Sequence, residues 1–166
     1  DLKEAYLHPD AAKALLEAHL LLKAQYPSYR LIIYDAARPM SVQKKMWDVV
    51  KGTSKYMYVS NPSRGGGLHN YGLAVDISIA DSLGHPLPMG TEVDYMDAAS
   101  HITNEAKLVR EGKITQQERE NRILLRQVMK SAGFRALPSE WWHFNLKGRD
   151  KYKLLDIPFE QLEELK

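Results

Sequence analysis

Two histidines and two acidic residues stand in a pattern that predicts a catalytic zinc site. His69 follows a glycine-rich segment and comes seven residues before Asp76, while Glu140 comes three residues before His143. Three nitrogen and oxygen ligands with an open fourth position are typical of catalytic zinc, whereas structural sites normally use four protein ligands. The sequence therefore predicts one zinc ion on His69, Asp76 and His143, with Glu140 as a general base beside it.

The composition narrows the possible chemistry. The chain has no cysteine, which excludes disulfides, thiolate ligands and cysteine nucleophiles, so any metal must be held by His, Asp or Glu. With 166 residues, 44% of them hydrophobic, the chain is expected to form a single domain with a real core. The net charge of +2 and the absence of a basic run longer than Lys44-Lys45 argue against a nucleic-acid partner. No apolar run approaches the ~20 residues needed to cross a membrane.

The segment from Leu73 to Ala80 must position Asp76. Its apolar residues alternate with small or polar ones, which predicts a strand with one buried face and with Asp76 on the other face. A strand rises ~3.3 Å per residue, so a fully extended chain would hold His69 too far from Asp76 to share an ion. The preceding glycines and Asn70 are expected to turn the chain and bring His69 back.

A second strand, from Trp141 to Leu146, must position His143. The alternation places Trp141, His143 and Asn145 on one face and the bulky apolar residues on the other. Glu140 is expected at the mouth of this strand, near the metal but not bound to it.

The remaining elements predict the α+β class: a small antiparallel sheet with helices packed on one face. Asp10 reads as the N-cap of a helix to about Tyr26, and Ser41 as the cap of a helix to about Val50. Thr115 and Glu118 form a capping box that opens a helix to about Ala132. Arg30 to Tyr34 is a further predicted strand, and the stretch from Met89 to about Ile114 resists assignment beyond some helix.

Taken singly, these signals are weak. Glu and His three residues apart occur often by chance, Asp76 alone could lie on a solvated strand face, and the other histidines are expected to be structural. The prediction depends on the combination.

At these residues the chain resembles the D-alanyl-D-alanine dipeptidases, a group that includes the vancomycin-resistance dipeptidases. They belong to the zinc D,D-peptidase superfamily, whose fold is shared with the hedgehog signalling domain. The resemblance extends from about Leu31 to Asn145. The segments that carry it are Asp35-Ala-Ala-Arg38-Pro39, His69-Asn-Tyr-Gly72-Leu-Ala74-Val-Asp76, Pro88-Met-Gly90-Thr-Glu-Val-Asp94 and Glu140-Trp-Trp-His143.

The resemblance implies a role for each matching residue. His69, Asp76 and His143 match the zinc ligands, and Glu140 matches the catalytic base. Arg38 matches the arginine that stabilises the developing oxyanion, a role suited to a fixed guanidinium. Asp94 matches the acid that binds the free amino group of the substrate.

The chain departs from the family pattern in two ways. The family commonly has a serine shortly before the first histidine, where this chain has Gly67-Leu68, so a hydroxyl near the substrate amine is missing. The family also carries a further N-terminal segment that helps to wall the site, which this chain is expected to lack.

The expected function is zinc-dependent hydrolysis of a dipeptide, D-Ala-D-Ala, in bacterial cell-wall metabolism. Both the cytoplasm and the periplasm fit the composition. One alternative is a peptidoglycan carboxypeptidase or endopeptidase of the same superfamily, with an open groove instead of an amine-reading pocket. Another is a non-catalytic, zinc-stabilised binding module, although such a module would need neither Glu140 nor Arg38.

Overall fold

Four antiparallel strands form one sheet in the order β1-β2-β4-β3, in a computed structural model that describes residues 4–163. The strands are β1 (Arg30–Asp35), β2 (Ala74–Ala80), β3 (Phe134–Leu137) and β4 (Glu140–Leu146). The helices are α1 (Pro9–Gln25), α2 (Met40–Val50), α3 (Glu105–Arg110), α4 (Gln116–Ser131) and α5 (Phe159–Glu163). The predicted α+β class with a small antiparallel sheet is confirmed.

The two long helices, α1 and α4, contact each other and cover one face of the sheet. The core between these helices and the sheet is built from apolar residues of both layers. Its fully buried members include Leu22, Val75, Ile77, Ile79, Leu125, Met129, Trp142 and Phe144. Such burial of bulky side chains is the main favourable term in folding, and it fixes the sheet on which the polar residues stand. None of the described helices combines the length and apolar character needed to span a lipid bilayer.

Strand β2 is buried on both faces, so the prediction of one buried face was wrong. All seven of its residues are buried, and Asp76 and Ser78 on the predicted solvent face are only 4% and 1% exposed. Alternation alone could not reveal this, because it does not show which segments lie over the second face, where Ser78 shares a cavity with residues 86–93. Asp76 is consequently a buried carboxylate, and a buried charge needs a partner.

Strand pairing brings the predicted site residues together. Asp76 lies opposite His143 in the antiparallel pair of β2 and β4, so their side chains leave the same face of the sheet. Asp35, at the end of β1, pairs with Asp76 beyond an irregularity in the register. Glu140 is the first residue of β4, one position earlier than the predicted start of that strand.

Two of the predicted helix caps were wrong and one is confirmed. Helix α1 begins at Pro9 and is capped by His8, whose Nδ1 accepts the N–H of Asp10 at 3.2 Å. Helix α2 begins at Met40, so the predicted cap Ser41 lies inside it. Proline at or before the first helical position defines both starts, since its fixed φ favours helix entry and its missing N–H is not needed there. The capping box that opens α4 is present as predicted.

The turn before β2 depends on Gly72. A short 3₁₀ helix, Leu68–Tyr71, carries His69 and ends at Gly72, which has φ +65°. A Cβ on Gly72 would lie 2.7 Å from the backbone nitrogen of His8, so both the backbone angle and the available space require glycine. This turn replaces the extended chain that would have kept His69 away from Asp76.

We predict that Gly72→Ala costs more stability than Gly112→Ala. Gly112 has a similar φ of +68°, but a Cβ added there would meet no atom within 4 Å, so its replacement tests the backbone angle alone. That angle costs about 1–2 kcal/mol for a residue with a side chain, and the clash at Gly72 should add about 1–3 kcal/mol. Free energies of unfolding from urea titration measure both variants. Equal losses would mean that the contact with His8 does not constrain this turn.

Candidate active site

Three acceptor atoms converge on one point at the surface of the sheet. Nδ1 of His143 lies 2.9 Å from Oδ1 of Asp76 and 3.2 Å from Nε2 of His69. The third side of the triangle, from His69 Nε2 to Asp76 Oδ1, measures 3.4 Å. His69 comes from the 3₁₀ helix, Asp76 from β2 and His143 from β4, so three separate elements supply one atom each.

The outer nitrogens of the two imidazoles set which nitrogen of each ring faces inward. His69 Nδ1 lies 2.7 Å from the carbonyl oxygen of Ala36, and His143 Nε2 lies 2.8 Å from Oδ1 of Asn145. Both oxygens can only accept, so each outer nitrogen must carry the hydrogen. In the neutral rings the lone pairs of His69 Nε2 and His143 Nδ1 therefore point into the triangle, as metal-binding histidines require.

The triangle fits a zinc ion. Two ligands of tetrahedral zinc lie ~3.3 Å apart when the bonds are ~2.0–2.1 Å long, close to all three measured sides. Two imidazole lone pairs and a carboxylate oxygen also leave no donor inside the triangle, so the arrangement calls for a cation. These are the only described residues that form a His, Cys, Asp and Glu cluster with metal-binding geometry.

The pKa shifts of His69 and Asp76 also indicate that the triangle favours a positive charge. Burial would lower the pKa of His69, but the Asp76 carboxylate outweighs burial, and the pKa of His69 lies above its ordinary value. Burial would likewise raise the pKa of Asp76, but His69 and His143 hold it well below its ordinary value. A proton and a metal ion thus compete for the same position.

Glu140 lies beside the triangle as a separate carboxylate. Its Oε2 is 3.9 Å from His143 Nδ1, and the residue is only 8% exposed. Burial raises the pKa of Glu140 to about 7, with Asp76 and Asp94 adding to the rise and His143 opposing it. A carboxylate with a pKa near neutrality suits a group that both takes and returns a proton.

Arg38 is held by side chains on two sides. Its Nε donates to Oδ2 of Asp35 at 2.9 Å and its Nη2 donates to the same oxygen, while Nη1 donates to Oε1 of Gln43 at 3.0 Å. Gln43 is itself fixed, since its Nε2 donates to the carbonyl of Ser60 at 2.8 Å. The guanidinium lies 3.9 Å from Oδ2 of Asp76, so a fixed positive group stands at the edge of the triangle.

Asp94 reaches the site from an irregular segment, residues 88–99, which we call the Asp94 loop. Asp94 has φ +63°, and it is the only residue other than glycine with positive φ in the described part of the chain. Asp94 as a whole residue is exposed, but partial removal of its carboxylate from water raises its pKa, and the Asp76 charge adds to the rise while Arg38 opposes it. Its carboxylate accepts no hydrogen bond from the described residues, which leaves it open to a ligand.

All six predicted site residues line one cavity of about 360 Å³. A cavity of this size suits a small ligand. Tyr58, at the end of a short 3₁₀ helix, and Asp94 both line this cavity. The hydroxyl of Tyr58 lies 3.2 Å from Nε2 of His101, two residues after the Asp94 loop. Met46, Met57, Val59, Gly66, Leu68, Met96 and Leu137 also contribute to the lining.

The absence of a side chain at Gly67 has a steric explanation. Gly67 has φ −107° and ψ 178°, an extended conformation open to any residue. A Cβ there would lie 2.7 Å from Oγ and 3.1 Å from Cβ of Ser60, which lines the same cavity. A side chain at position 67 would therefore require the side chain of Ser60 to move.

Several supporting contacts were not predicted from the sequence. The carbonyl of Ala36 and the amide of Gln43 each orient a site residue, and no side-chain pattern signals a backbone acceptor. Asn70 was predicted at the turn, but not its hydrogen bonds: its Nδ2 donates to the carbonyl of Arg38 at 2.8 Å, while its Oδ1 accepts the N–H of Gly67 at 2.8 Å. Asn145 was predicted on the strand face of His143, but its bond to that histidine was not.

Comparison with known proteins places these features in a family. The model of the family Peptidase_M15, described as D-ala-D-ala dipeptidase, matches residues 3–161. A D-alanyl-D-alanine dipeptidase of Escherichia coli is 34% identical over 153 residues, covering 92% of this chain and 72% of the relative. One from Synechocystis is 32% identical over 168 residues, covering 84% and 68%.

A likeness among solved structures concerns the fold alone. The LD-carboxypeptidase LdcB superposes with a TM-score of 0.51 at 22% identity, covering 91% of this chain and 64% of that chain. The shared architecture agrees with the sheet and helices described above. Because the family model spans nearly the whole described chain and both relatives exceed 30% identity, this protein belongs to the D-Ala-D-Ala dipeptidase family of metallopeptidases.

Proposed function

We propose that this protein is a zinc-dependent dipeptidase that hydrolyses D-Ala-D-Ala in bacterial cell-wall metabolism. The observation that carries the proposal is the triangle of His69, Asp76 and His143 with Glu140 beside it in one small cavity. The bacterial relatives named D-alanyl-D-alanine dipeptidases support the choice of substrate.

Zinc is the proposed metal, one ion per chain, held by His69 Nε2, Asp76 Oδ1 and His143 Nδ1. When bound, zinc lowers the pKa of a water molecule and polarises a carbonyl group. The hydrogen bonds to Ala36 and Asn145 keep both imidazoles in the tautomer that binds a metal.

Glu140 is the proposed general base. It accepts the proton of the attacking water and later delivers that proton to the leaving amine, which requires a carboxyl group able to exist in both forms near neutral pH. Its buried position supplies that property by raising its pKa.

Arg38 is proposed to stabilise the negative charge that develops on the carbonyl oxygen of the scissile bond. Asp35 and Gln43 fix the guanidinium, so its remaining N–H groups are oriented before the charge appears. A lysine would keep the charge but lose the planar fork that makes these contacts.

Asp94 is proposed to bind the free ammonium group of the dipeptide. An ammonium group in a partly desolvated pocket forms a strong, charge-assisted hydrogen bond with a carboxylate. An acylated or longer substrate has no ammonium group at this position, so it would bury Asp94 without a partner. This contact separates the proposed dipeptidase from the carboxypeptidase and endopeptidase alternatives, which would accept blocked amines.

We predict that His69→Ala and Asp76→Ala each abolish zinc binding, whereas the wild-type protein holds one ion. Replacing the exposed His85 by Ala serves as the control and should leave zinc content unchanged. Zinc needs a neutral His69, so affinity should fall as the pH is lowered through the raised pKa of that residue. Metal analysis after dialysis and calorimetric titration measure both effects. Full zinc occupancy in His143→Ala would show that the ion binds elsewhere.

We predict that Glu140→Gln retains zinc while kcat falls by about 10²–10⁴-fold, because the amide keeps the shape but cannot accept the proton. The matched control is Glu111→Gln, an exposed position outside the cavity. Steady-state hydrolysis of D-Ala-D-Ala, with zinc content measured on the same samples, gives the comparison. A rate close to wild type would rule out Glu140 as the base.

We predict that Asp94→Asn removes most of the preference for a free amino group. Asparagine tolerates positive φ as aspartate does, so the backbone should persist. The lost charge-assisted hydrogen bond is worth about 1.5–3 kcal/mol, so kcat/KM for D-Ala-D-Ala should fall roughly tenfold or more. The control Asp97→Asn alters a carboxylate in the same loop that caps a short helix. Equal wild-type rates on D-Ala-D-Ala and its N-acetyl form would favour the carboxypeptidase alternative.

A further inference from the structure

The Asp94 loop has almost no regular structure of its own. Between the end of β2 and the short 3₁₀ helix at Ala98–Ser100, the described chain contains neither a helix nor a strand. Irregular backbone that borders a buried site still has to satisfy its polar groups. The loop has a few backbone hydrogen bonds of its own, from Tyr95 N to Glu92 O and from Asp97 N to Tyr95 O, and side chains that reach it from other elements add to what fixes Asp94.

Two consecutive residues of α4 reach both ends of this loop. Asn121 Nδ2 donates to the carbonyl of Pro88 at 2.8 Å, and Arg122 Nε donates to the carbonyl of Met89 at 2.6 Å. Nη1 and Nη2 of Arg122 both donate to the carbonyl of Ala99 at 3.1 Å. The Arg122 guanidinium thus connects Met89, near the start of the loop, with Ala99 at its end.

The Arg122 guanidinium is buried and charge-balanced. Arg122 is 0% exposed, and its Nη1 lies 3.8 Å from Oε1 of the buried Glu105. Glu105 is oriented in turn by Arg126, which donates to both carboxylate oxygens at 2.8 and 2.5 Å. Because removal from water makes an unpaired charge costly, this network holds Arg122 in one place.

The same arginine is placed against the strand that carries Glu140 and His143. Its Cζ lies 5.8 Å from the ring centroid of Trp141, the residue after Glu140. The indole N–H of Trp141 donates to Oγ1 of Thr91 inside the loop at 2.7 Å. Loop and strand are therefore tied together by contacts that also involve Arg122.

We propose that Arg122, assisted by Asn121, is a positioning residue that sets the selectivity of the active site for a free amino group. By joining Met89 to Ala99 it holds Asp94 at a fixed place relative to the metal ligands. The strained φ of Asp94 persists only where the surroundings determine it, and the Arg122 contacts supply that constraint. This inference rests on the proposed function of Asp94.

The experiment compares Arg122→Lys, Asn121→Ala and the control Lys130→Arg. Lysine keeps the charge at position 122 but cannot donate to both loop ends through a planar fork. Asn121→Ala removes the bond to Pro88 and the bond that Gln117 donates to Asn121, but touches neither Met89 nor Ala99, so it is the milder change. The control alters an exposed cation on the same helix whose side chain has no hydrogen bond or ion pair with the loop or with Glu105 in the described part of the chain.

Two measurements are made on each zinc-loaded variant. Hydrogen exchange of residues 89–99 should become at least about tenfold faster in Arg122→Lys, with α4 unchanged. KM for D-Ala-D-Ala should rise roughly tenfold while kcat stays within about threefold, and the discrimination against N-acetyl-D-Ala-D-Ala should fall. Asn121→Ala should move both readouts less in the same direction, and Lys130→Arg should leave them as in wild type.

Unchanged exchange across 89–99 overturns the inference whatever the activity. Faster exchange with intact selectivity also overturns it, since a purely structural role predicts that pattern. If Arg122→Lys does not fold, Asn121→Ala decides on the same criteria. If the wild-type protein hydrolyses no dipeptide, the proposed function fails, while exchange still decides whether Arg122 holds the loop.

Discussion

Three acceptor atoms that face one another within 2.9–3.4 Å impose the main constraint on this structure. Two imidazole lone pairs and a carboxylate repel at that separation unless a cation lies between them. The fold must therefore hold His69, Asp76 and His143 against their mutual repulsion. It does so with strand register for Asp76 and His143, and with the turn at Gly72 for His69. The sheet provides the stiffness, because its other face is packed against α1 and α4.

Side chains extend this rigidity to the irregular segments around the cavity. Asn70 binds the backbone of Gly67 and of Arg38, and its own carbonyl accepts the N–H of Leu155 at 2.8 Å. The buried Asn70 thus connects, through its side-chain amide, the segment before His69 with the segment that carries Arg38 and, through its backbone carbonyl, the C-terminal part of the chain. Arg122 has the same role in the Asp94 loop, where it connects Met89 with Ala99. Buried polar groups of this kind specify one loop conformation where no ladder of backbone hydrogen bonds exists.

The sequence predicted those parts of the site that lie on periodic elements. Asp76 and His143 could be assigned to strand faces because alternation has a fixed period, and the capping box of α4 has a fixed spacing. The burial of both faces of β2, and the hydrogen bonds that Asn121 and Arg122 donate to residues 88–99, depend on contacts between separate segments of the chain. No local sequence pattern contains such contacts. The helix starts were misplaced because proline, and not the nearby Asp10 or Ser41, determined where α1 and α2 begin.

Asp76 and Glu140 show how position gives two carboxylates different chemistry. Both are buried, and burial alone would raise the pKa of each. Asp76 touches both imidazoles, and its interactions with His69 and His143 outweigh burial and keep the carboxylate ionised, as the proposed role of metal ligand requires. Glu140 stands 3.9 Å from His143 and feels the negative charges of Asp76 and Asp94, so burial prevails and its pKa reaches about 7. A difference of a few ångströms between neighbouring carboxylates thus separates one that stays ionised from one whose pKa lies near neutrality, which is the difference that the proposed roles of metal ligand and general base require.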